Sequence, residues 1–214
     1  IKKETTFKNK VVFVNGFSAS GKTMLAPIIS SMQNVESIIF PYEIEWISSF
    51  LYSSNIDKNS YQEFLKQYVD HTTYNQMMSR NSNFRPSDIS SVLQSRKKVD
   101  YLKRLFQKGG ELVPARIRKE KPILHLTTHN LLPYSEPLFA ALGDRLVFIE
   151  VIRHPLYMIK QQELNMKRSF TGNVRDFTIY FEHKGKQVPY FVSGWEDLFI
   201  DSNLIDKAIY SIEK

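Results

Sequence analysis

Gly16-Phe17-Ser18-Ala19-Ser20-Gly21-Lys22-Thr23 has the spacing G-x-x-x-x-G-K-[ST]. In that arrangement consecutive backbone N–H groups turn inward around a phosphate. Gly16 and Gly21 permit the backbone angles, Lys22 supplies a point charge, and the helix expected after the loop aims its N-terminus at the anion. Thr23 would serve a magnesium ion in an NTPase, or a phosphate oxygen where no metal is used. A magnesium-dependent NTPase ordinarily adds an Asp at the end of an apolar strand. The apolar run from Pro122 ends instead in Thr127-Thr128-His129, and the run from Arg145 ends in Arg153-His154-Pro155. Glu150 falls inside the second run, where it is not expected to meet the loop's ligand. The spacing therefore reads as a phosphate cradle without an evident metal site.

These residues need a scaffold that gathers strand ends. Lys10 to Asn15 reads as a buried parallel strand running straight into the loop. A helix is expected over Thr23 to Met32, with Pro27 fitting only its first turn or else kinking it. Further strands are expected at Ser37 to Phe40, Pro122 to Thr127 and Arg145 to Ile152. Between the second and third strands the pattern is helical from Tyr42 to about Gly110, with an insertion of roughly 44–110. Within it, Ser87 or Asp88 is a plausible N-cap for a helix from Ile89, and more helix is expected over Tyr101 to Phe106. Leu138 to Leu142 reads as a short helix, and Pro155 opens another through Gln162. Phe177 to Phe181 and Gln187 to Val192 read as a hairpin around His183-Lys184-Gly185-Lys186, its second arm a candidate to join the main sheet. A last helix is expected over Asp201 to Ile212. Strands alternating with helices indicate α/β: a P-loop-type parallel sheet flanked by helices, as one domain over 1–214.

The chain has 214 residues, 42% of them hydrophobic and 24% charged, enough for a real core. It holds no cysteine, which excludes a disulfide scaffold, a Cys-based zinc site and a thiol nucleophile. The net charge is +7, which suits a polyanionic small molecule. Basic clusters lie at Arg96-Lys97-Lys98 and from Arg116 to Lys121, but no DNA-reading motif accompanies them, so nucleic acid is not the expected partner. No apolar run has the length of a membrane span. The first residue is Ile1, which suggests a trimmed piece; the expected location is cytoplasmic, with an anchor ahead of Ile1 left open. The sequence does not reveal the oligomeric state.

The block Ile149-Glu150-Val151-Ile152-Arg153-His154-Pro155-Leu156 resembles the strand-Arg-x-Pro block of sulfotransferases. Thr128-His129-Asn130-Leu131-Leu132-Pro133 is similar to the family's Lys-Thr-His block. Gly194-Trp195-Glu196-Asp197-Leu198-Phe199-Ile200-Asp201 looks like its Tyr-Glu-Asp-Leu-x-x-Asp-Pro block, and Ala19 to Met24 aligns with Lys-Ser-Gly-Thr-Thr-Trp. The order and spacing of these blocks, spread over most of the chain, carry the resemblance. It implies a donor, 3′-phosphoadenosine 5′-phosphosulfate (PAPS), with adenosine 3′,5′-bisphosphate as product and no metal.

The same resemblance implies a cofactor site of Gly16, Ser18, Ala19, Ser20, Gly21, Lys22, Thr23 and Met24, with Arg153 on the 3′-phosphate. The family's loop Lys falls at Ala19, the Lys before Thr-His at Thr127, the second 3′-phosphate ligand, a Ser, at Gln161, and the adenine-stacking Trp at Met24. Lys22 is the expected catalytic cation. The expected base is His129, as in the cytosolic enzymes, or Glu43, near where carbohydrate sulfotransferases place a Glu. His125 and His154 are expected to be structural. The family's C-terminal cofactor loop would lie in or beyond 163–190. The acceptor is a small molecule or a glycan hydroxyl, its pocket built by the helical insertion. Two rival readings stand beside this one: a Mg-ATP-dependent small-molecule kinase, favoured by the Lys22-Thr23 pair, and a non-catalytic nucleotide-binding module, favoured by Ala19 and Gln161.

Overall fold

The computed structural model describes residues 7–169 and 177–214. Its centre is β1 (Val11–Asn15), buried along its whole length. Parallel partners flank it: β2 (Leu124–Thr127) on one side and β3 (Leu146–Glu150) on the other. Val11, Phe13 and Leu126 face the largest core cluster, while Val12 and Val14 face a smaller one. Burial on both faces explains why β1 is a continuous apolar run without alternation.

The expected second strand forms only in part. Residues 34–39 follow the free edge of β2 through isolated bridges at Val35–Ile123 and Ile39–Leu126. Glu36 N donates to Ile123 O and Ile39 N to His125 O, so this edge gains a residue over β2, as at a bulge. The N–H of Ser37 is taken by the Tyr101 hydroxyl at 2.9 Å. That bond diverts the backbone from the regular ladder.

The chain leaves β1 toward the β2 side and returns later on the β3 side. The order of the three-stranded sheet is β2-β1-β3, which puts a topological switch at the C-terminal end of β1. In open α/β sheets ligands bind at such a switch. The phosphate loop occupies it.

α1 (Lys22–Ser30) begins directly after the loop and contains Pro27 in its interior, not its first turn. The helix ends one turn beyond that proline. In the insertion, α2 (Tyr42–Tyr52) and α3 (Lys58–Gln76) form an antiparallel pair over the core, with Ile44, Tyr61, Leu65 and Val69 fully buried. Asp57 caps α3 by accepting from Asn59 N and Ser60 N, a local bond that favours the helix start.

The helix expected from Ile89 is absent. Asp88 O and Asn83 O accept from Ser91 N and Val92 N, closing turns, and only a short 3₁₀ stretch, Val92–Gln94, follows. α4 (Lys98–Phe106) comes next, then α5 (Leu112–Glu120), an element the sequence reading did not foresee. α6 (Ser135–Leu142) precedes β3, and α7 (Pro155–Ser169) follows it, longer than expected.

The hairpin is β4 (Tyr180–His183) with β5 (Lys186–Pro189), antiparallel around Lys184-Gly185. Both turn residues have positive φ, 51° and 73°, as a tight primed turn requires. The hairpin forms a separate two-stranded sheet rather than extending the main one, because β5 gives way at Tyr190 to a 3₁₀ turn. It packs with α8 (Glu196–Asp201) and α9 (Leu204–Glu213) around Val188, Trp195 and Phe199. Among the described residues no helix is long and apolar enough to cross a membrane.

Candidate functional site

The loop is shaped by the residues that punctuate it. Gly16 and Gly21 have φ of 142° and 107°. A Cβ on Gly16 would stand 2.6 Å from Val151 O, so only glycine lets β1 turn this close to the end of β3. Ala19 also takes a left-handed φ, 67°, an uncommon state for a residue with a Cβ. Ser20 N closes the turn onto Phe17 O at 3.1 Å, and Met24 N onto Gly21 O at 2.9 Å.

Inside the loop lies Lys22, 4% exposed. Its Nζ donates to Gly16 O and Phe17 O, each at 2.6 Å. No carboxylate lies within ion-pair distance of it among the described residues. Burial is the dominant influence on its pKa and lowers it to about 8, against the opposing pull of Glu45 and then Glu150. Ser20 Oγ is also buried, with no hydrogen-bond partner. A desolvated cation, an orphaned hydroxyl and a glycine cradle fit an anionic phosphate or phosphosulfate group at this loop.

The strand ends are wired to the loop. Asn15, the last residue of β1, accepts at Oδ1 from Thr128 Oγ1 at 3.0 Å and from Leu131 N at 3.1 Å. Its Nδ2 donates to Glu150 Oε2 at 2.7 Å. Glu150 is therefore not remote from the loop, as the sequence suggested. β3 ends at Glu150 instead of continuing to Ile152, and register places it beside Asn15. Burial raises the Glu150 pKa, opposed by the Asn15 hydrogen bond and by Lys22.

His129 sits just beyond β2, with its ring half-buried. Glu45 Oε1 accepts from both its backbone N, at 2.8 Å, and its Nδ1, at 3.0 Å. Two bonds to one oxygen fix the ring and place a proton on Nδ1. Glu43, the carboxylate singled out from the sequence, is exposed and accepts from Tyr68 Oη at 3.2 Å; the structure brings Glu45 to His129 instead. His125 is fully buried, with Nδ1 against Ser30 Oγ at 3.0 Å and its pKa lowered to about 4 by burial, as a neutral core residue.

Arg153 lies at the C-terminal side of β3, exposed, with Nη1 donating to Ala19 O at 3.3 Å and its guanidinium over the Tyr157 ring at 5.8 Å. It thus reaches the loop. Gln161 does not: its amide turns to Asn165 Oδ1. The neighbouring Gln162 is buried and donates to Ser18 O at 2.6 Å. Thr23 and Met24 are both exposed on α1. A cavity of about 400 Å³ opens beside the loop, lined by Gly16, Phe17, Asn130, Glu150, Arg153 and Trp195. Of the expected C-terminal cofactor loop over 163–190, residues 170–176 lie outside the described residues. No cluster of three or more His, Asp or Glu suited to a metal ion occurs among the described residues.

The Glu196-Asp197-Leu198 block holds elements together. Glu196 Oε1 accepts from Tyr52 Oη at 2.6 Å, tying α8 to α2. Asp197 takes His183 and Lys184 of the hairpin. Sequence reasoning missed Asn15, Gln162 and the position of Glu150; their signal was adjacency to the loop and to Arg153. The chain matches no family model, no curated protein and no solved structure.

Proposed function

We propose that this chain transfers a sulfuryl group from PAPS to an acceptor hydroxyl. The observation that carries the reading is the gathering, at the C-terminal ends of three adjacent parallel strands, of a phosphate cradle, Arg153 and a carboxylate-held His129. Bound PAPS supplies an activated sulfuryl group and leaves as adenosine 3′,5′-bisphosphate.

The chain's own residues divide the remaining work. The loop amides and Lys22 bind the 5′-phosphosulfate end, Lys22 exchanging the carbonyls of Gly16 and Phe17 for anionic oxygens and offsetting charge on the leaving oxygen. Arg153, already at Ala19 O, meets the 3′-phosphate. His129 holds its Nδ1 proton against Glu45, which leaves Nε2 to take the acceptor's proton; the Glu45 carboxylate stabilises the imidazolium that results. Asn15 and Gln162 keep the strand end and loop in register with this pair.

A second reading, a Mg-ATP-dependent kinase, is favoured by one observation: Glu150 closes β3 beside Lys22. Calorimetry separates the two. The sulfotransferase reading expects the bisphosphate to bind without metal, and Arg153→Ala to weaken it at least tenfold. ATP binding only with magnesium, with no bisphosphate binding, gives the site to the kinase. If neither nucleotide binds, both enzyme readings fall and a non-catalytic module remains.

A further inference from the structure

Helix α2 shows two faces of different character. Ile44 and Ser48 are fully buried against the core. On another face Tyr42, Trp46 and Phe50 recur at a spacing of one helical turn, and they stay 38%, 37% and 41% exposed. Phe177, 55% exposed, joins them from the segment leading to the hairpin. The Tyr42 and Trp46 rings lie 6.3 Å apart and only 25° from parallel. Phe177 sits 5.7 Å from Tyr42. Trp46 Nε1 donates to Phe177 O at 2.9 Å. The indole's only polar group is thus spent inside the protein, and its ring is held where it is.

The chain's other tryptophan shows what an ordinary core indole looks like here. Trp195 is 8% exposed and makes edge contacts with Phe199 and Tyr210. A row of aromatic faces left at the surface of the same protein is an unspent interaction surface.

Its position says what it is for. Glu45, which holds His129, lies on the same helix between Tyr42 and Trp46. The Tyr42 phenol has its pKa raised by burial first and by the Glu45 charge second, which places it within electrostatic reach of that carboxylate. The platform therefore borders the proposed base.

We infer that Tyr42, Trp46 and Phe177 form a stacking platform for an uncharged sugar ring, which makes the acceptor a neutral glycan. The inference rests on the transferase reading for its reaction, but not for its binding. The axial C–H groups of a pyranose make an apolar face that matches an aromatic ring, while its hydroxyls radiate at the edge. Glu43, next to Tyr42 in the chain and exposed, offers an acceptor for those hydroxyls beyond the bond it takes from Tyr68. Its charge, with that of Glu45 behind it on His129, repels an acidic sugar, which selects against uronate and already sulfated chains. A lone apolar ligand would make no use of Glu43.

The experiment uses Trp46 as its own reporter and needs neither donor nor turnover. The full chain is titrated with uncharged hexasaccharides of glucose and of N-acetylglucosamine, and with hexagalacturonate, while tryptophan emission and acrylamide quenching are followed. At least one uncharged hexasaccharide is expected to shift the emission to the blue and to halve the quenching, and hexagalacturonate to do neither. Trp46→Phe should abolish the signal, and Tyr42→Ala, which keeps the fluorophore, should weaken binding roughly tenfold.

No response to either uncharged sugar, or equal binding of hexagalacturonate, overturns the inference. So does a blue shift that grows with protein concentration without sugar, because the face would then belong to a second copy of the chain. Bisphosphate calorimetry on the same preparation keeps the two failures apart. Bisphosphate binding without sugar binding removes the platform and leaves the transferase; sugar binding without bisphosphate does the reverse.

Discussion

Two buried cations, Arg104 and Lys22, differ in their partners. Arg104 of α4 meets Glu36 with both nitrogens, at 2.7 and 3.1 Å, and also donates to Gln76 O. Tyr101 Oη donates to the same carboxylate at 2.6 Å, and Lys97 stands 3.6 Å from it. Desolvation works against both charges, yet the Arg104 pKa stays raised and the Glu36 pKa lowered, because each is the other's partner. Lys22 is as deeply buried but has only two carbonyls of its own loop, and its pKa falls to about 8. A buried charge that is fully matched fixes structure. A buried charge held by replaceable acceptors is available to a ligand.

Removing one partner of the matched pair should have the largest effect. Arg104→Met takes from the buried Glu36 carboxylate its closest cation and leaves it only Tyr101 Oη and the more distant Lys97, which costs about 3 kcal/mol. Urea unfolding should show that loss, undiminished by added bisphosphate. The double change Glu36→Leu with Arg104→Met should recover most of it. If the single variant is as stable as the parent, the network is not what joins the insertion to residues 34–39.

Lys22→Met is expected to invert this pattern. Bisphosphate affinity should fall by about 100-fold, since one charge-assisted contact to a phosphate is lost. Stability at pH 7 should hold or rise. The sign follows from linkage. The folded pKa is about 8 against an ordinary lysine value of 10.5, so below pH 8 both states carry the proton and the folded state bears the full desolvation cost. Between pH 8 and 10.5 the unfolded state binds more protons, and the parent gains stability on the order of 3 kcal/mol relative to Lys22→Met. A difference between the two proteins that stays flat across that window would show that Lys22 is not desolvated.

The same residue gives a pH dependence of binding. The anion needs the protonated amine and should raise its pKa on binding. Affinity for the bisphosphate should therefore be level below pH 8 and fall toward tenfold per unit above it. Calorimetry in buffers of different ionisation enthalpy should detect proton uptake near pH 8. Arg104→Lys, if it folds, should leave that profile in place, because the matched pair takes no part.

The loop was legible because its determinants are contiguous: glycines where φ is positive, a lysine at the helix start, and a buried strand before them. The parallel sheet was legible for a similar reason, since β1, β2 and β3 are short apolar runs. What the sequence hid were rotations and caps. Glu43 and Glu45 are both near the start of α2, but two residues turn a side chain through about 200°, and only the packing of Ile44 decides which one reaches His129. Gln161 and Gln162 differ by about 100° on α7, with the same consequence. α5 lies just past Gly110, where the helical pattern of the sequence ends, and Pro114 does not prevent it, because it falls in the first turn, where its missing N–H is not needed. The expected helix at Ile89 gave way to turns closed by backbone bonds to Asn83 and Asp88, contacts that periodicity does not encode.

The two glutamines of α7 offer the finest contrast between matched and ligand-directed groups. Gln162 Nε2 is bound to Ser18 O at 2.6 Å and buried, so it sets the path of the loop without touching Lys22. Gln162→Ala removes one hydrogen bond worth about 1 kcal/mol and frees Ser18. Bisphosphate affinity should drop several-fold, with the midpoint of the pH profile unmoved, because Lys22 keeps its surroundings. Gln161→Ala, which loses only an exchange with Asn165 on the same helix, should leave both affinity and profile unchanged. Calorimetry on the pair decides it. A loss at Gln161 as large as at Gln162 would mean that position 161 reaches the nucleotide after all, and that α7 rotates when the site is filled.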